Sequence, residues 1–134
     1  MDWNRLELRD LKVKLDGHKL WVTLDRPSSK NAYSTDMIIS LIDVLSRGDL
    51  DKEVRVIILS GHGDVFSAGG DIKAMEEKTG MFSGDHNELR ENYARGIQQI
   101  PLTIEQMDTP LIAMVNGAAI GAGCDLACMC DIRI

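Results

Sequence analysis

A chain of 134 residues is long enough for one modest domain. Apolar residues make up 44% of it, which argues against disorder, and with only 4% aromatics the core must be built from Leu, Ile, Val and Met. A formal net charge of −6 excludes a general electrostatic pull on nucleic acid or anionic membrane, but leaves room for a local basic patch facing a phosphorylated ligand.

No segment reaches the roughly 18 apolar residues of a membrane span. Met1-Asp2-Trp3-Asn4-Arg5 reads neither as the start of a signal peptide nor as an Arg- and Ser-rich transit segment. Cys124, Cys128 and Cys130 are odd in number and crowded together. They lack a CxxC spacing, and His18, His62 and His86 are scattered. The cysteines therefore read as buried small residues in a reducing, cytoplasmic setting, with no metal site expected.

In chain order, residues 6–15 alternate as a strand, Asp16-Gly17 turns, and residues 20–24 return. This predicts a hairpin at the edge of the core sheet. A loop follows over residues 26–32, with Pro27 biasing Arg26 away from helix. Ser34 is the expected N-cap of a helix running to about residue 45, with Asp36 in its first turn. Met37, Leu41 and Leu45, with Ile38 and Ile42, form its apolar stripe, and Gly48 marks its end region.

Residues 54–59 form a nearly uninterrupted apolar run, as in a strand covered on both faces. Gly61-His62-Gly63-Asp64 breaks it, and Val65-Phe66 return to the core. A short helix is predicted over 72–78 and a loop over 79–85. Residues 86–107 read as helical with a break at Pro101, so that one helix ends near Gln99 and a second covers 102–107. Leu89, Tyr93, Ile97 and Ile100 are its expected buried stripe. A buried-type strand at 111–115, a helix over 123–129 and a last strand from Ile132 complete the reading.

Two stretches stand out. Ser67-Ala68-Gly69-Gly70-Asp71 and Gly117-Ala118-Ala119-Ile120-Gly121-Ala122-Gly123-Cys124-Asp125 each follow a strand and precede a helix, roughly fifty residues apart. Small residues let backbone N–H groups approach a ligand closely, near a helix N-terminus that favours negative charge. Two such turns, each aiming one N–H at a single oxygen, make an oxyanion hole. For either turn alone, tight strand-to-helix packing is the competing explanation.

Phe66-Ser67-Ala68-Gly69-Gly70-Asp71-Ile72-Lys73 and Pro110-Leu111-Ile112-Ala113-Met114-Val115-Asn116-Gly117 resemble the two signature regions of the enoyl-CoA hydratase/isomerase, or crotonase, superfamily. The likeness continues through Gly121-Ala122-Gly123-Cys124-Asp125-Leu126-Ala127 to Cys130-Asp131-Ile132-Arg133-Ile134, and includes Leu24-Asp25-Arg26-Pro27 and Asn31-Ala32. It implies an α/β fold, the crotonase-like ββα superhelical spiral, usually assembled into trimers or hexamers. It implies as well that residues 1–134 are the N-terminal part of a single such domain, truncated on its C-terminal side.

The resemblance also implies roles. The N–H groups of Gly70 and Ala122 would hold a thioester oxyanion, and Asp125 would assist acid/base chemistry. The family often has Gly where Ala122 stands. Hydratases usually carry Glu where Asp125 stands, with a second Glu roughly twenty residues later, beyond Ile134. Certain dienoyl-CoA isomerases carry Asp there. Arg26 and Lys30 would neighbour the phosphates of coenzyme A, and Ala68, Gly70, Asp71 and Ile72 would line its adenine or pantetheine. Met81, Phe82, Tyr93 and Ile97 are candidates for the acyl pocket. Coenzyme A is then part of the substrate and no separate cofactor is expected. The implied activity is hydration of a 2-enoyl-CoA in fatty acid metabolism. Double-bond isomerisation is the alternative enzymatic reading, and a non-catalytic acyl-CoA-binding paralogue the third.

Overall fold

The computed structural model describes residues 1–134. The two-residue turn Gly17-His18, with Gly17 at φ 60°, pairs Asp16 with Lys19 and aligns β1 (Leu11–Asp16) antiparallel to β2 (Lys19–Leu24). Along β2, Leu20, Val22 and Leu24 are fully buried while Trp21 and Thr23 are half-buried, the period of two that a pleated strand imposes. The strand starts later than the alternation suggests. Asp10 sits at φ 57°, and residues 6–10 lie outside the strand. Ahead of them, a 3₁₀ turn at Trp3–Arg5 buries Trp3, whose indole N–H donates to Asp51 Oδ2 at 2.7 Å.

β3 (Val56–Gly61), β5 (Leu111–Ala113) and β7 (Ile132–Arg133) add in parallel, giving a five-stranded sheet of order β1-β2-β3-β5-β7. The apolar run of β3 lies between β2 and β5 and is buried at Ile57, Ile58 and Leu59, as a central strand requires. β4 (Val65–Ser67) and β6 (Ala118–Ala119) form a separate parallel pair.

α1 (Thr35–Leu50) starts at the predicted cap, where Ser34 Oγ accepts the Met37 N–H at 3.0 Å. Met37, Ile38, Leu41, Val44 and Leu45 are buried against the sheet, each contributing about 1.5–3 kcal/mol over exposure. The helix runs past Gly48 to Leu50. Gly48 does not end it: Ile57 Cδ1 and Leu20 Cδ2 would lie 3.0 Å from a Cβ there, so the missing side chain is where helix and sheet touch.

α2 (Ile72–Glu77), α3 (His86–Arg95) and α4 (Gln99–Gln106) follow, with a 3₁₀ turn at Gly80–Phe82 between the first two. The break in the long helical stretch falls at Gly96, not at Pro101. Pro101 is the third residue of α4, where a backbone N–H has no intrahelical acceptor to lose. Of the expected stripe only Ile100 is buried, while Leu89, Tyr93 and Ile97 stay half-buried. α5 (Ala122–Met129) buries Leu126 and Ala127, as predicted.

Candidate active site

The site is laid out by a buried asparagine. Asn31 is fully buried in left-handed backbone, at φ 55°. Its Nδ2 donates to the carbonyls of His62 and Val65 at 3.0 and 2.8 Å, and its Oδ1 accepts the Arg26 N–H at 2.9 Å. The Ser67 hydroxyl donates to Asn31 O at 2.8 Å and accepts the Gly69 N–H at 3.0 Å. The Ala68 N–H reaches Lys30 O at 2.9 Å, and the Tyr33 N–H reaches Gly69 O at 2.8 Å. The loop over residues 26–32 is thereby laced to the first small-residue turn.

The second turn packs directly on the first. The Ile120 N–H donates to Ser67 O at 2.9 Å. Gly69, at φ 78°, approaches so closely that a Cβ would stand 2.5 Å from Ile120 O and 2.8 Å from Ala122 N. A Cβ on Gly123 would collide with Ser67 O. The small residues thus serve turn-to-turn packing, and that packing sets Gly70 beside Ala122. Gly70 lies outside the helices and strands, and its N–H donates to no acceptor in the chain. Ala122 is the first residue of α5, where the helix offers its N–H no acceptor. Both residues line one apolar cavity of about 350 Å³, with Ala68, Ile72, Met81, Phe82, Tyr93 and Ile97 among its walls.

Asp125 lies on α5 and lines an adjoining cavity of about 200 Å³ that shares Tyr33, Ile97 and Ala122 with the first. Gly121 occupies the N-cap of α5, so the Asp125 carboxylate does not cap the helix. It is exposed and makes no hydrogen bond or ion pair within the chain. A carboxylate free of internal partners, in a cavity that Ala122 also lines, can exchange a proton with a bound ligand.

The expected coenzyme-facing residues divide. Arg26 Nη1 donates to Asp71 Oδ2 at 2.7 Å and to Ala32 O at 3.2 Å, and Asp10 lies 3.9 Å from its Nε. Asp71 also caps α2, accepting the Ala74 N–H at 3.0 Å. That backbone donor, together with Arg26, holds the Asp71 carboxyl below the usual carboxylate range. These two charges satisfy one another. Lys30 is exposed, sits at φ 53°, and forms no ion pair. Ile72 is 77% exposed and stands beside Ala68 and Gly70 at the mouth of the larger cavity.

The cysteines divide: Cys130 is buried as expected, and Cys124 and Cys128 are not. Cys130 is buried, its thiol donating to Leu126 O at 3.3 Å and pushed up to about 12 by burial. Cys124 and Cys128 are exposed. They lie one turn apart on the face of α5 opposite the buried Leu126.

Tyr33 is the residue that sequence reasoning passed over. It is buried, it lines both cavities, and its hydroxyl donates to Ala122 O at 3.0 Å. Burial and the nearby Asp125 charge push its phenol above the ordinary tyrosine range. No local signal marks it, because its hydroxyl's partner Ala122 lies 89 residues away.

Residues 19–134 match the family model described as enoyl-CoA hydratase/isomerase. The chain is 32% identical over 127 residues to the 2,3-dehydroadipyl-CoA hydratase of Escherichia coli K12, covering 95% of this chain and 46% of that protein. It is 34% identical over 131 residues to the peroxisomal Delta(3,5)-Delta(2,4)-dienoyl-CoA isomerase of Arabidopsis thaliana, covering 94% and 47%. The crystal structure of an enoyl-CoA hydratase/isomerase from Mycobacterium paratuberculosis superposes with a TM-score of 0.80 at 31% identity, over 92% of this chain and 48% of that one. The chain therefore spans about half the length of the curated relatives it matches. No helix is long and apolar enough to cross a membrane. With its two turns interlocked as in the sequence signature and its fold shared with a solved member, this chain belongs to the enoyl-CoA hydratase/isomerase, or crotonase, family.

Proposed function

We propose that the protein hydrates a 2-enoyl-CoA. The observation that supports this reading is that Gly70 and Ala122, whose N–H groups find no acceptor in the chain, line one apolar cavity that adjoins the one holding the free carboxylate of Asp125. Water adds its hydroxyl to C3 of the acyl chain and a proton to C2. The developing charge sits on the thioester oxygen, held by the two N–H groups, each worth roughly 3 kcal/mol in the transition state. Asp125 assists the proton movement. Lys30 is the cation free to meet a coenzyme A phosphate, Ala68, Gly70 and Ile72 border the ligand, and Arg26 with Asp71 braces the loop behind them. The working form is a homotrimer or hexamer in the cytoplasm, a compartment that suits three free thiols.

Isomerisation is the second reading. It is favoured by Asp125, whose side chain is one methylene shorter than the Glu usual in hydratases, and by the likeness to the dienoyl-CoA isomerase. The test is turnover of crotonyl-CoA and of a dienoyl-CoA by the intact native protein in oxygen-18 water. Hydration yields a labelled 3-hydroxyacyl-CoA. Isomerisation yields a shifted double bond and no label. Tight acyl-CoA binding without either product would leave the non-catalytic reading in place.

A further inference from the structure

The two proposed oxyanion donors come from distant parts of the chain, and one residue holds on to both of their turns. A peptide unit is planar, with its N–H and C=O pointing to opposite sides. The Gly70 N–H shares its plane with the Gly69 carbonyl, and that carbonyl accepts the Tyr33 N–H at 2.8 Å. Fixing one side of the plane fixes the direction of the other. At the far end of the same residue, the Tyr33 hydroxyl donates to Ala122 O at 3.0 Å. The ring between these two anchors is rigid and only 3% exposed. The β4–β6 ladder brings the turns together from behind. Tyr33 thus grips the Gly69–Gly70 peptide plane through its own N–H and the carbonyl side of Ala122 through its hydroxyl.

We propose that Tyr33 is a positioning residue that sets the direction of the Gly70 N–H and its spacing from Ala122, so that the two N–H groups can serve a single oxygen. The proposal rests on the enoyl-CoA reading above. The phenol keeps its proton throughout, because burial and Asp125 disfavour its anion.

The experiment is Tyr33→Phe in the intact native protein, which keeps the ring and removes the hydroxyl. With crotonyl-CoA, kcat should fall about tenfold, short of the ~10²–10³ lost with a whole donor, while KM stays within about twofold. The pH profile should not move. A lowered melting temperature with unchanged kcat would overturn the proposal in favour of a packing role. A displaced alkaline limb would overturn it in favour of proton transfer.

Acetoacetyl-CoA supplies a readout free of turnover, since its bound enolate has its own ultraviolet band. Tyr33→Phe should bind it and show a weaker band. If Ala122→Pro loses the band and Tyr33→Phe keeps it in full, the Tyr33 proposal alone fails. If the unaltered protein shows neither band nor turnover, the enoyl-CoA reading fails and this proposal with it. Should the Phe variant not fold, 3-fluorotyrosine at position 33 changes the donor strength within the same shape. A changed enolate band supports the proposal, and an unchanged one overturns it.

Discussion

The guanidinium of Arg26 and the carboxylate of Asp71 meet at 2.7 Å across a sequence separation of 45 residues. One end of this pair starts the loop that leads to Tyr33, and the other caps the helix after the first small-residue turn. Asp71→Ala removes both the cap and the ion pair. It should lower stability by about 1–3 kcal/mol in urea titration, with an unchanged m-value. Unchanged stability would mean that Arg26 finds Asp10 as an equal substitute.

The same pair makes stability depend on acid in a defined direction. The folded Asp71 carboxyl titrates below its ordinary value of 3.8. Its contribution is therefore present above that value and disappears as pH falls through the folded value. The gap between the unaltered protein and Asp71→Ala should be widest near neutrality and close in strong acid. A gap that persists there would point to lost packing instead.

Gly69→Ala tests the interlock of the turns. Its left-handed backbone and the 2.5 Å approach of Ile120 O leave no room for a methyl group. The variant should lose about 2–4 kcal/mol of stability, read from the shift in its denaturation midpoint.

Ala122→Pro removes one N–H at the first position of α5, where proline fits a helix. Turnover of crotonyl-CoA should fall by about 10²–10³ with little change in melting temperature. Retained turnover would remove Ala122 from the oxyanion site.

Asp125→Asn preserves shape and removes the proposed acid/base group. Its kcat should fall by about 10²–10⁴, with acyl-CoA affinity nearly unchanged by calorimetry. A loss of affinity with kcat preserved would recast Asp125 as a binding group.

Much of this site was readable because its constraints are local. Ser34 announces its cap, the Asp16-Gly17 turn its hairpin, and the glycine-rich turns a place where backbones nearly touch. Where the reading missed, the cause lay elsewhere in the chain. Gly48 resembles a helix stop until Leu20 and Ile57 are seen against it. Pro101 resembles a break until its place in the first turn of α4 is known. Tyr33 gains its meaning from Ala122, 89 residues away, and no periodicity encodes that separation. Cys124 and Cys128 look like core residues by type, yet the narrow buried face of α5 is taken by Leu126 and Ala127.

The short β4–β6 ladder has a kinetic side. It joins two strands of three and two residues that bracket a loop of roughly fifty residues. The main sheet and α1 condense around a larger set of contacts. Pairing of β3 with β5 already closes that loop, so the ladder itself forms locally, burying Phe66 and Ser67 through only two paired positions, and it belongs among the early events of local opening. A molecule with that ladder unzipped would keep most of its core and show a nearly native circular dichroism spectrum, yet lack a place for an oxyanion. Competence for chemistry would then be a population within the folded ensemble, set by one small zipper rather than by the stability of the whole domain.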